Sequence, residues 1–134
     1  MTIRQARTLA VSIDRDWREV YEFTCIPQNF ARWAAGLGRR FEAAGEDWTA
    51  EDQDGRPIRI RFAKPNAFGV LDHTVFSGED VIPVAMRVVP NGTGAEVMLT
   101  ILRMPGMTDQ AFAADAAAVE RDLGALKALL EHNL

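Results

Sequence analysis

Residues 70–103 read VLDHTVFSGEDVIPVAMRVVPNGTGAEVMLTILR, three apolar runs divided by the turn signals Ser77-Gly78 and Asn91-Gly92. Runs of this length joined by tight turns describe an antiparallel meander. Residues that pair across an antiparallel ladder point to the same face, so the turn positions set a register. The turn at Gly78-Glu79 pairs Val75 with Ile82, His73 with Val84 and Leu71 with Met86. The loop at Asn91-Gly92 pairs Val88 with Val97, Met86 with Leu99, Val84 with Ile101 and Ile82 with Arg103. Upstream, a turn at Pro65 to Phe68 is expected to pair Phe62 with Leu71, Ile60 with His73 and Ile58 with Val75.

One face then collects Ile58, Ile60, Phe62, Leu71, Val75, Ile82, Val84, Met86, Val88, Val97, Leu99 and Ile101, with His73 and Arg103 as its polar members. Trp48 joins that face if Gln53-Asp54-Gly55 forms a three-residue loop with Gly55 left-handed. Neighbours in a strand point apart, so Asp72 falls on the other face. There it is expected opposite Arg61, in an exposed ion pair of small worth.

Working outward, Leu9, Val11 and Ile13 alternate with polar or small residues as a half-buried first strand does. Asp14 reads as the N-cap of a helix carrying Trp17, Val20, Tyr21 and Thr24. Pro27 opens a second short helix with Phe30, Trp33, Ala34 and Leu37 inward, ended by Gly36 and Gly38. At the other end Thr108 caps a long helix whose stripe is Phe112, Ala116, Val119, Leu123, Leu126 and Leu130. The order is one strand, two short helices, a meander and a long helix.

The length of 134 residues suits one domain, 1–134, able to bury roughly 70% of the surface its unfolded chain exposes. A net charge of −4 argues against nucleic acid as a partner, since acidic neighbours such as Asp47, Glu51 and Asp54 dilute the local arginines. No run approaches a membrane span, and the N-terminus lacks a signal-peptide core. The single Cys25 forbids an internal disulfide, and cytoplasm is the expected location.

The segments VSIDRDWREVYEFTCIPQNFARW, FGVLDHTVF, PVAMRVVPNGTGAEVMLTILRMPGM and DAAAVERDLGALKALLE resemble the SRPBCC superfamily of START-related and polyketide cyclase-like proteins. The resemblance implies an α+β helix-grip fold, in which a curved antiparallel sheet of six to seven strands wraps a long C-terminal helix and the short helices plug one end. It also implies an apolar cavity that holds a lipid, a polyketide-like or an aromatic molecule, with no cofactor. Carried onto this chain, the cavity is lined by Phe30, Trp33, Trp48, Ile60, Phe62, Leu71, His73, Val84, Met86, Leu99, Ile101, Arg103, Phe112, Ala116 and Val119.

Within that cavity His73 is the candidate acid/base of a cyclase- or dehydratase-like enzyme, or a polar contact to a bound ligand. Its structural alternative is a core histidine bonded to a backbone carbonyl, a water or Tyr21. Arg103, with its Cα about 12 Å from that of His73 at ordinary strand spacings, either meets a ligand carboxylate or snorkels outward to Asp109. A third possibility is a filled core, with the outer residues Phe76, Ala85, Met98 and Leu102 making a homodimer or partner contact.

Other chemistry finds little support. The two histidines, His73 and His132, make no metal pair, and the segment Glu51-Asp52-Gln53-Asp54-Gly55 lacks the first carboxylate and closing glutamate of a calcium loop. Cys25 has no neighbouring histidine.

Overall fold

The computed structural model describes residues 2–35 and 39–132. Strand β1 (Ala6–Ile13) leads into helices α1 (Trp17–Thr24) and α2 (Pro27–Trp33). Six strands follow: β2 (Arg39–Ala44), β3 (Asp47–Glu51), β4 (Pro57–Phe62), β5 (His73–Ser77), β6 (Asp80–Asn91) and β7 (Gly94–Leu102). Helix α3 (Asp109–His132) closes the chain. The sheet is antiparallel, in the order β1-β7-β6-β5-β4-β3-β2, and the fold is a helix-grip. Leu37, expected inward on α2, and Gly36 and Gly38, expected to end it, lie outside the described residues.

The helix signals act as their chemistry requires, with one displacement. Thr108 caps α3 by accepting the Ala111 N–H at 3.0 Å. Asp16, not Asp14, caps α1, accepting the Arg18 N–H at 2.9 Å. The Asp14 N–H instead donates to Glu131 Oε2 near the end of α3, and Lys127 Nζ reaches the Ser12 carbonyl at 2.7 Å. These bonds fasten α3 along β1. The α3 stripe of Phe112, Ala116, Leu123, Leu126 and Leu130 is buried, and its lower part packs with Leu9, Ile13, Val20, Val97 and Leu99 in the main core. Ala50, Ile58, Ile60 and Val75 form a smaller cluster beside it.

The sheet register follows the turns where they are tight. His73 pairs with Val84, Val75 with Ile82, Met86 with Leu99 and Val88 with Val97. Gly55 is left-handed (φ 78°), which brings Trp48 opposite Ile60 on the apolar face. The β4–β5 connection departs from expectation. Phe62 pairs with His73 and Ile60 with Val75, a shift of two residues that keeps every side chain on its face. The loop is wide because Asn66 organises it: Nδ2 donates to the Lys64 and Val70 carbonyls, Oδ1 accepts the Phe68 and Val70 amides, and the Tyr21 hydroxyl oxygen accepts the Asn66 N–H.

The second departure is where β6 and β7 separate. Their ladder runs from Asn91 opposite Gly94 to Ala85 opposite Thr100 and stops, so the expected pairs Val84 with Ile101 and Ile82 with Arg103 fall beyond it. Met86 O accepts from Leu71 N and Val88 N donates to Gly69 O, so the even-numbered residues of β6 bond on the β5 side. The missing amide of Pro83 is therefore lost on the β7 side, where the ladder ends.

At the entrance to β5, Gly69 (φ 70°) lies so close to β6 that a Cβ would stand 2.1 Å from the Val88 carbonyl oxygen. Gly45 has a similar φ of 66° but open space around it. We expect Gly69→Ala to cost about 3 kcal/mol or more, against about 1 kcal/mol for Gly45→Ala, in urea unfolding monitored by circular dichroism. Equal losses would show that β5 and β6 part easily at this point.

Candidate functional site

The site grows from the way the chain enters β5. Leu71 N donates to Met86 O at 2.9 Å, but the reciprocal bond from Met86 N is not made to Leu71. Met86 N donates instead to Asp72 Oδ1 at 2.8 Å, while the Leu71 carbonyl is 3.1 Å from His73 Nδ1. Two side chains thus replace one ladder bond, and both backbone groups remain satisfied. The other Asp72 oxygen faces Arg87 at 3.3 Å, so the expected Asp72–Arg61 pair is replaced. Arg59 and Arg61 converge on the buried Asp47, and Arg59 lies over the Phe76 ring at 3.8 Å. The two guanidinium groups hold the Asp47 carboxyl down at about 2.

A carbonyl can only accept, so the bond to Leu71 places the proton of neutral His73 on Nδ1 and leaves a lone pair on Nε2. The ring is 6% exposed and packs edge-on against Phe30 at 5.3 Å, with Phe62 at 5.8 Å. Burial holds its pKa below the ordinary 6.5, opposed by the Leu71 carbonyl and by Asp72. Nε2 makes no hydrogen bond among the described residues and is not sealed off as Trp33 Nε1 is. That indole nitrogen, on a residue 3% exposed, is fully enclosed without a partner. Such an orphan costs about 1–3 kcal/mol.

Beside His73 lies a cavity of about 120 Å³ between the separated strands, α2 and α3. Its walls are Phe30, Trp33, Ala34, His73, Val75, Val84, Leu99, Ile101, Val119 and Asp122. Phe62, Leu71 and Met86 instead border an adjoining void of about 10 Å³, room for roughly one water. Trp48 packs on Phe41 at 4.9 Å, and Ile60, Phe112 and Ala116 are buried in packed core. Arg103 lies elsewhere: it donates to the Met107 carbonyl at 2.9 Å and to Asp109 Oδ1, pinning the loop before α3.

Asp122 was not among the residues expected at the site. It stands three residues beyond Val119, on the flank of the α3 stripe, and accepts the Ala35 N–H at 3.3 Å. Desolvation raises its pKa from the ordinary 3.8, opposed by that amide and by Arg121. In sequence it looks like one more solvated helix acid. Only the placement of α2 shows otherwise. Among the described residues no cluster of three metal-ligating side chains occurs, and no helix is long and apolar enough to cross a membrane.

No family model matches the chain, and no curated protein matches it in sequence. Solved structures do match in shape. XoxI from Bacillus cereus is 12% identical with a TM-score of 0.76, covering 93% of this chain and 94% of that one. The Aha1 dimer from Colwellia psychrerythraea is 12% identical with a TM-score of 0.75, covering 96% and 97%. DynU16, a protein of the dynemicin biosynthetic locus, is 17% identical with a TM-score of 0.73; 95% of this chain spans 47% of DynU16. The likeness is one of fold alone.

The buried imidazole ties stability to pH. Because the folded pKa of His73 is depressed, its contribution is complete above 6.5 and is lost as pH falls below that value. The slope is at most about 1.4 kcal/mol per pH unit. Asp47 and Glu131, both lowered, stay ionised across this window, whereas Asp115 and Asp122 are raised and act in the opposite sense. Urea unfolding from pH 7.5 to 5.5 is expected to show the decline in the wild type and in His132→Gln, but not in His73→Gln. The same slope in all three would place the titration elsewhere.

Proposed function

We propose that this protein, an SRPBCC-like member of the helix-grip fold, binds a small and mostly apolar molecule in the cavity between its sheet and α3. The observation that carries the reading is the cavity itself. It is walled by aliphatic and aromatic side chains, holds about 120 Å³, and sits where β6 and β7 part. A volume of this order accepts about one aromatic ring. Apolar lining with a few convergent polar groups is what a small-molecule site requires.

A second reading, a cofactor-free cyclase or dehydratase, has in its favour the Nε2 lone pair of His73, which has no partner among the described residues, because a neutral imidazole can take a proton from a bound substrate. With a substrate in hand, turnover lost in His73→Gln with binding retained is its signature. The homodimer keeps a counterpart in the Aha1 dimer, and a lone cysteine suits the reducing cytoplasm.

The test uses para-xylene as a probe and Val119→Phe as a plug. Uptake by the wild type is expected to raise its unfolding free energy by about 2.7 kcal/mol at a hundred times the Kd. Val119→Phe, which projects a ring into the cavity, is expected to fold and to show no such rise. Native mass spectrometry of protein purified from its own host is expected to retain a small molecule. A core that takes up neither para-xylene nor xenon under pressure would reject the reading.

A further inference from the structure

The polar groups around the cavity set the chemistry of what enters it. Of the two expectations for Arg103, a ligand carboxylate or an outward pairing with Asp109, the second is met: its guanidinium is committed to Met107 and Asp109 away from the cavity. Among the described lining residues none is cationic. Trp33 Nε1 is sealed within the wall and offers no donor to the void.

Two polar functions remain. His73, tied through Nδ1 to the Leu71 carbonyl, presents Nε2 as a hydrogen-bond acceptor. Asp122, half-buried on α3, presents a carboxylate whose amide partner among the described residues, Ala35 N, is at 3.3 Å. Both accept. A carboxylate ligand would therefore add a second negative charge beside Asp122 with no cation among the described lining residues, and a ketone alone would bring a third acceptor. An ammonium group would suit Asp122, but at the depth of His73 it would be desolvated with a neutral partner.

We infer that the cavity selects a neutral, ring-sized apolar molecule carrying a hydroxyl, a phenol or a comparable alcohol, whose O–H donates to His73 Nε2, and that it rejects carboxylates through Asp122. This inference rests on the binding function proposed above and gives that function its ligand class. His73 is then a specificity determinant whether or not any chemistry follows.

Three ring probes separate the contributions, titrated calorimetrically into the full chain at pH 7: para-cresol and para-xylene, of nearly equal shape, and the larger 4-methylbenzoate. Para-cresol is expected to bind about 5- to 10-fold tighter than para-xylene, the effect of one net hydrogen bond. The benzoate is expected to bind at least about 10-fold more weakly than para-cresol, and Asp122→Asn is expected to recover most of that deficit. His73→Phe, which removes the acceptor, is expected to bring para-cresol and para-xylene together. Should that variant fail to fold, the ¹⁵N resonance of His73 Nε2 in the wild type gives the same answer, since it should move with para-cresol and stay with para-xylene.

Equal affinities for para-cresol and para-xylene would overturn the inference while leaving an apolar binding cavity in place. Preference for the benzoate would overturn it as well. Binding of none of the three would overturn it together with the function on which it rests.

Discussion

Strand β6 must satisfy two neighbours, and Pro83 makes that impossible over its whole length. The residue has no amide to give, and the alternation of the strand turns that gap toward β7. From Asp80 to Val84 the strand belongs to β5, and from Ala85 onward it joins β7 too. The sheet can then curl around α3 while its two halves part, and Val84, Leu99 and Ile101 are left facing a space rather than one another. A continuous ladder would bring these side chains into contact. The cavity thus opens where Pro83 withholds its donor from β7, whereas Pro90, the other proline of the strand, lies within the paired part.

The second local irregularity lies next to the first. Where β5 begins, Asp72 and His73 each take over half of an interrupted ladder bond, one accepting the Met86 amide and the other donating to the Leu71 carbonyl. Adjacent residues in a strand point to opposite faces, so the pair works from both sides of the sheet at once. Asp72 is thereby a backbone partner, with Arg87 as a secondary contact. His73 is fixed in one tautomer by the same arrangement. A core histidine bonded to a backbone carbonyl and a ligand-facing histidine are usually alternatives; here the carbonyl occupies one ring nitrogen and the other has no partner among the described residues.

Much of the architecture was legible because it depends on local signals. Thr108 and Pro27 start helices for reasons confined to their own turns, and the dipeptides Ser77-Gly78 and Asn91-Gly92 set two hairpins in register. The same reasoning failed at residues 63–72, where the turn is shaped by one asparagine side chain and a tyrosine from α1, forty-five positions away in the chain. It also placed Asp72 against Arg61, since a register two residues off brings the wrong charges together. Period-two alternation protects the face of each residue from such an error but not the identity of its partner.

The sequence by itself determined which residues face inward, because strand alternation and helical spacing are properties of neighbouring positions. Phe30, Trp33, His73, Val84, Leu99, Ile101 and Val119 could therefore be named before their distances were known. Only the tertiary structure decided which of these inward residues pack against one another and which border a void. It committed Arg103 to the loop before α3, brought Asp122 to the cavity wall through the docking of α2, and left one nitrogen of His73 without a partner among the described residues. Those outcomes depend on the distance between elements far apart in the chain, and no local pattern encodes that distance.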